Sequence, residues 1–503
     1  MNYMPTKETK LAYGLSWSFL NTGINALYGF LAVPLLLNYF GKSNYGLISL
    51  AMSVNVYLSL LDMGMASTNI RFFANYFAKG ALNKVSDLFG TCLSFYGTIG
   101  LINAAILLIV SIFSSSIFNV DETQAETLRN LIYILSINAV FAWYTSCFGQ
   151  LVQADEHVDY FYKISVYGKL LLCVILACTI YLKFSITFYF VLTTFGNLIL
   201  TSLFYIYKIK KVICPSLSFR PKFDYQIFKE ILPYSLNIFA INIFQYSSNY
   251  LRPIVLGALG TVEAVADFKI INGINSLVIA VGGVFYTVVF PTISKLVSRN
   301  DNMKLTEISY KGTRLVSIFV SFICFGLVSI SDTLLELYVG KDYLYLVPWL
   351  DFLVLLGLGS HNQIISAIIF SGTNFKSVTH FTMLSCIGSI IACFLMVPVI
   401  GIGGVVISSF CYSAMQLSFY YLYYWPKKLR LNSFSIFTRD FLPFALIGAL
   451  CAFTCKNHLP VLSNLYITGT LKGVIFVCSY ILLVYISLPK SDIQYYIALL
   501  KNK

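Results

Sequence analysis

The sequence predicts an all-α polytopic membrane protein of about fourteen transmembrane helices, arranged as two six-helix lobes followed by a C-terminal helix pair. Three observations lead there. The chain is 58% hydrophobic and only 11% charged, with a mean hydropathy of +0.78. Soluble domains carry roughly 25% charged residues, and no core in water could absorb so much apolar surface. The apolar runs are continuous and roughly twenty residues long, enough for a helix to cross about 30 Å of hydrocarbon, and they lack the period-two alternation of barrel strands. Finally, the frame Pro34-x-x-Leu37-x-x-x-Gly41 returns as Pro253-x-x-Leu256-x-x-x-Gly260, an offset of 219 residues, and Ser16 meets Ser235 at the same offset. A repeated pair of spanning helices is what a transporter built from two related lobes shows.

Taken in order, the expected spans lie near 11–39, 45–77, 88–114, 128–152, 163–183, 186–207, 230–257, 266–294, 311–331, 348–372, 381–400, 402–425, 441–457 and 467–488. Gly41 falls between the first two, and Tyr45-Gly46 opens the second. Pro398 with the Gly401, Gly403 and Gly404 cluster separates 381–400 from 402–425. The longest loop, 208–229, is basic and carries Pro215 and Pro221. It falls where the repeat begins again. The expected organisation is therefore an N-terminal lobe over 1–207, a cytoplasmic linker over 208–229, a C-terminal lobe over 230–425, and a helix pair with tail over 426–503. No loop is long enough for a soluble catalytic domain.

Charge tests this count. With the N-terminus in the cytoplasm, twenty-five Lys and Arg residues fall on the cytoplasmic side and five on the other, and Arg71, Arg252, Lys269 and Lys472 remain inside spans. Missing one span would invert every later loop, so the bias supports an even number of spans and two cytoplasmic termini. The net charge of +13 follows from topology and anionic lipid, and no nucleic-acid partner is expected. The basic head before the first run lacks a cleavage site, so no signal peptide is expected.

Polar residues inside the spans are the candidate site. Asp62 lies near the middle of the second span, where a carboxylate costs about 2.5–3.5 kcal/mol and needs a partner or water. Nine residues at about 100° each put Arg71 on the opposite side of an ideal helix, so the two are not expected to pair. Arg71 reads either as a cation snorkelling to the headgroups or as part of a cavity wall. Arg252, Asp267 and Lys269 sit around the turn between the seventh and eighth spans. They read as an Arg252–Asp267 structural ion pair beside the turn, as a cationic wall for an anionic ligand, or as both. Asn242, Gln245 and Asn249 share one face of the seventh span, Asn21 and Asn25 one face of the first, and Asn272 and Asn275 one face of the eighth. Single asparagines often glue helices together; three amide-bearing faces also suit the hydroxyls of a sugar. His361 lies mid-span and reads as a proton carrier or as a buried imidazole with hydrogen-bond partners. Asp351 and Glu336 are expected to be solvated.

Enzyme chemistry finds no support. There is no Walker A motif, dinucleotide fingerprint, nucleophile elbow or zinc-binding His-Glu pair. The twelve cysteines are scattered through apolar runs and read as small buried hydrophobes. No catalytic residue, metal or cofactor is expected.

The run Pro34-x-x-Leu37-x-x-x-Gly41-x-x-x-Tyr45-Gly46, with Leu61-Asp62-x-Gly64 and Arg71, resembles the opening of the Wzx-type oligosaccharide flippases, polysaccharide transporters of the multidrug/oligosaccharidyl-lipid/polysaccharide exporter superfamily. Gln150-x-x-Gln153-Ala154 and Val262-Glu-Ala-Val-Ala-Asp267 are similar to that family too. The resemblance implies two six-helix bundles around a cationic cavity that fits Arg71, Arg252 and Lys269. It implies transfer of a polyprenyl-pyrophosphate-linked oligosaccharide to the outer leaflet of a bacterial inner membrane, serving O-antigen, lipopolysaccharide or other surface polymers. A downstream polysaccharide polymerase is an implied partner, and Asp62, Asp267 and His361 are the coupling candidates. Sugar and pyrophosphate cannot cross hydrocarbon unaided, whereas a polyprenyl tail can stay in it. The alternatives are a membrane-embedded polysaccharide polymerase or ligase, a lipid II flippase, and a cation-coupled drug exporter. Short outer loops argue against the first. A first span whose polar residues are Asn21 and Asn25 rather than charges argues against the second, and a basic cavity against the third.

Overall fold

The computed structural model describes residues 7–299, 301–371, 376–459, 463–489 and 492, and among them it is helical with no strand. It divides into two compact units, Met1–Ala266 and Asp267–Lys503. The first holds α1 (Lys7–Tyr57), α2 (Met65–Ala78), α3 (Leu82–Ile112), α4 (Glu122–Ala154), α5 (Val158–Leu182), α6 (Ile186–Lys208) and α7 (Tyr225–Leu259). Helix α8 (Val262–Ser298) carries the unit boundary. The second unit continues with α9 (Asn302–Val339), α10 (Val347–Leu356), α11 (Gln363–Ser371), α12 (Lys376–Ile400), α13 (Ile402–Phe419), α14 (Leu442–His458) and α15 (Leu465–Ser487).

Eleven helical stretches among the described residues are long and apolar enough to cross a membrane. Of the other expected spans, the seventh and eighth exist as α7 and α8, of 35 and 37 residues. The second is not one helix. Helix α1 runs through the expected first turn, interrupted only at Gly41, whose φ of 81° and ψ of 166° leave the helical region. It then tightens into a 3₁₀ turn over Leu58–Asp62 and stops at two left-handed residues, Met63 (φ 51°) and Gly64 (φ 76°), before α2 begins. The ideal-helix argument about Asp62 and Arg71 therefore does not apply, because the two lie on different helices.

The break is held from outside by α7. Ser235 donates its hydroxyl to the Met63 carbonyl. A Cβ on Gly64 would lie 2.6 Å from the Ser235 carbonyl oxygen and 3.0 Å from Cβ of Ile238. Gly64→Ala thus combines a left-handed backbone with a backbone clash and is expected to lower stability by about 1–3 kcal/mol. Gly23→Ala, with nothing within 4 Å, is the matched control and should be near neutral in thermal unfolding.

Apolar packing closes each unit. In the first, α3 and α4 lie side by side, and Phe73, Phe89, Tyr96, Phe148 and Leu151 form the core with Cys92 and Cys147, which pack as small hydrophobes. In the second, α14 and α15 pack on α9 through Phe325, Phe444, Phe476 and Tyr480. Gly401 (φ 53°) separates α12 from α13, where the glycine cluster was expected to. The tenth expected span is broken at a 3₁₀ segment, Gly357–Asn362, between α10 and α11.

The C-terminal helix pair is not loosely appended. Arg314 of α9 bridges Asp440, at 2.6 Å, and Asp492. Lys456 of α14 pairs with Asp351 of α10 and donates to Ser331 at 2.9 Å. Lys472 of α15, 1% exposed, pairs with Asp332 of α9 at 2.7 Å. This corrects two expectations: Asp351 is part-buried and paired rather than solvated, and Glu336 is also part-buried, with Lys341 at 3.6 Å. It also accounts for Lys472, a cation in mid-span, since a charge in an apolar bundle persists only when compensated.

Candidate functional site

The helix break in the first unit builds a polar site. Because the 3₁₀ turn that follows α1 ends at Asp62 and α2 starts afresh, the first N–H groups of α2 are free of helical partners and face the carboxylate. The Ala66 N–H donates to Asp62 Oδ2 at 3.1 Å. From α3, the Tyr96 hydroxyl donates to Asp62 Oδ1 at 2.8 Å. Gln150 of α4 donates from Nε2 to the Tyr96 oxygen at 2.8 Å, and Asn69 of α2 donates from Nδ2 to Gln150 Oε1 at 3.0 Å. Asn69 and Tyr96 are fully buried and Gln150 nearly so. Every donor in this chain runs one way, from Asn69 through Gln150 and Tyr96 to Asp62. That is the arrangement of a network ending on an ionised acceptor. Hydrogen bonds to a charged group contribute about 1.5–3 kcal/mol each, so two of them offset the roughly 2.5–3.5 kcal/mol cost of a carboxylate at this depth.

Composition singled out Asp62 but not its partners. Gln150 entered only through a motif resemblance. Tyr96 is one of 36 tyrosines, and only its position on α3 marks it. Arg71 stands apart from this network: its side chain is exposed, with the guanidinium carbon 4.2 Å from the centre of the Tyr234 ring on α7, a cation–π contact. Arg252 is 8% exposed and donates to Ser248 Oγ at 3.1 Å. Asn249 is exposed, and Asn21 and Asn25 are half-buried on α1. The side chains of Asn242 and Gln245 lie outside the described residues.

In the second unit Asp267 is buried and accepts from the Tyr345 hydroxyl at 2.7 Å. Lys269 is exposed and Asn272 half-buried. His361 sits in the 3₁₀ break, 2% exposed. Its Nδ1 lies 2.7 Å from the Leu358 carbonyl oxygen and so carries the proton. Its Nε2 accepts from the Tyr421 hydroxyl at 2.6 Å and lies 3.0 Å from Asn362 Nδ2. The ring stacks on Phe441, centroids 4.1 Å apart. Both ring nitrogens are occupied as in a neutral imidazole, the tautomer following from the network.

Sequence comparison supplies the family. The family model described as "Polysaccharide biosynthesis protein" matches residues 39–348. The chain belongs to that family. Among curated proteins no sequence match is found. Solved structures place this family member's fold. The lipid II flippase MurJ in an inward closed conformation is similar with a TM-score of 0.66 at 14% identity, over 94% of this chain and 98% of that one. An inward-facing multidrug resistance MATE transporter of the MOP superfamily has a TM-score of 0.64 at 14% identity, over 86% and 96%. The MATE transporter DinF-BH has 0.53 at 13%, over 84% and 97%. The polysaccharide biosynthesis family member described here thus has a polytopic helical fold similar to that of these solved transporters.

Proposed function

We propose that the protein is a flippase that carries polyprenyl-pyrophosphate-linked oligosaccharide repeat units from the cytoplasmic to the outer leaflet by alternating access. The observation that carries this reading is the family match over residues 39–348 on a chain whose fold resembles that of a lipid II flippase. In this reading it works in a bacterial inner membrane with both termini in the cytoplasm and supplies a surface-polysaccharide polymerase. In this reading two six-helix lobes, 1–207 and 230–425, joined by the 208–229 linker, rock against one another. Arg71, Arg252 and Lys269 face the pyrophosphate, where the planar guanidinium fork suits phosphate oxygens. Asn21, Asn25, Asn242, Gln245, Asn249 and Asn272 meet sugar hydroxyls. Asp62 is the first coupling candidate, ahead of Asp267 and His361, because its network ends on it.

Translocation in proteoliposomes tests the reading. A polyprenyl-pyrophosphate oligosaccharide is followed on the far leaflet with a membrane-impermeant enzyme. Protein-dependent crossing is expected, reduced about tenfold or more in Arg252→Ala if its charge-assisted bonds to phosphate are lost, with the variant still folded. Crossing unchanged in Arg252→Ala makes that residue structural. Elongation of the glycan without crossing makes the protein a polymerase. Neither activity, with export of small organic cations instead, makes it a drug exporter.

A further inference from the structure

Helices α1 and α5 run side by side in the first unit, from Trp17, whose ring lies 5.8 Å from Lys163 Nζ, to Tyr39, whose hydroxyl donates to the Phe184 carbonyl at 2.9 Å. Between these ends they do not close. A cavity of about 530 Å³ lies along them, walled by Leu27, Leu31 and Leu35 of α1 and by Leu176, Ala177 and Ile180 of α5. The spacing on each helix is that of one face. Leu27 is 61% exposed and Leu31 56%. Both walls lie in stretches apolar and long enough to span a membrane, so whatever fills the groove comes from the bilayer.

Shape and polarity narrow the occupant. From Ile24 to Leu35 the helix rises roughly 16 Å, and along it the walls are almost wholly carbon, so a hydrocarbon chain suits the groove. Charge narrows it further. Ile180 also lines a second cavity, of about 560 Å³, at the end of α5, together with Tyr39, Asn44, Lys183 and Ser185. Lys183 is exposed, held in the left-handed conformation that caps α5 (φ 57°). Among the described residues no carboxylate lines that cavity.

We infer that the α1/α5 groove binds a bilayer phospholipid with an anionic headgroup, its acyl chain between Leu31 and Ala177 and its phosphate at Lys183. This does not depend on the cargo. The inference adds a lipid that remains with the protein, distinct from any lipid that is moved.

Native mass spectrometry of the full-length protein, delipidated and given equal amounts of phosphatidylglycerol or phosphatidylcholine, tests it. Phosphatidylglycerol should be retained about fivefold over phosphatidylcholine, the preference one lysine near an anionic surface supplies. Lys183→Gln, a surface change that leaves the helices alone, should abolish the preference and leave phosphatidylcholine retention as it was. Ala177→Trp should fill the groove and release both lipids, whereas Leu203→Trp, at a 62% exposed site on α6, should release neither. Equal retention of the two lipids by the unaltered protein would overturn the inference, as would a preference that survives Lys183→Gln. Displacement of phosphatidylglycerol from the unaltered protein by equimolar polyprenyl phosphate would also overturn it and assign the groove to cargo.

Discussion

Replacing Arg314 by glutamine is expected to destabilise the protein by about 3–5 kcal/mol, because it strands two buried carboxylates at once. The side chains of Asp440 and Asp492 are 1% and 9% exposed, and Arg314 is the cation between them. Thermal unfolding of the purified chain in detergent reads the loss. Replacing all three residues by apolar ones should recover most of it, since a buried charged cluster is often no more stable than hydrophobic packing of similar volume. A loss under about 1 kcal/mol in Arg314→Gln would mean that solvent screens the cluster as it does surface pairs. Lys341→Gln is the contrast. Its side chain is 81% exposed and lies 3.6 Å from Glu336, and no measurable change is expected.

The second large effect is functional. Asp62→Asn keeps shape and removes charge. The new amide must then meet donors: the Ala66 N–H on one oxygen position and the Tyr96 hydroxyl on the other. Tyr96 already accepts from Gln150, so its proton cannot be redirected without leaving a donor unmatched. If Asp62 couples transport, translocation should fall about 10- to 100-fold, the factor corresponding to one lost charge-assisted hydrogen bond. The unfolding midpoint should move far less than in Arg314→Gln. Tyr96→Phe should act in the same direction. Parallel losses of stability and transport across both variants would make the network structural.

The two sites differ in how far they could be read from residues alone. Asp62 declared itself because a carboxylate in an apolar run has to be compensated. Its partners did not, since an amide or a tyrosine in a membrane helix is common and costs little when half its surface is apolar. The spans and the breaks at Gly41 and Gly401 were legible because length, hydropathy and glycine chemistry are local. The break at Met63 was not, for it depends on Ser235 arriving on another helix. The same holds for the ion pairs. Arg314 and Asp440 are 126 residues apart and Lys472 and Asp332 are 140 apart, so neither partner suggests the other. His361 read from the residues alone either as a proton carrier or as a buried imidazole with hydrogen-bond partners, and its surroundings, a carbonyl, a tyrosine and a stacked phenylalanine, become visible only once α10 breaks.

The clasp between α9, α10 and the last two helices has an evolutionary consequence. Each of its cations is useful only while the matching carboxylate, more than a hundred residues away, is also present. A substitution on one side alone buries a lone charge, so drift at these positions has to proceed by paired changes or by simultaneous loss of both charges. Residues 332 and 472, 351 and 456, and 314 with 440 should therefore vary together among relatives. A chimera that borrows only the final helix pair from such a relative should misassemble unless the partners on α9 and α10 travel with it.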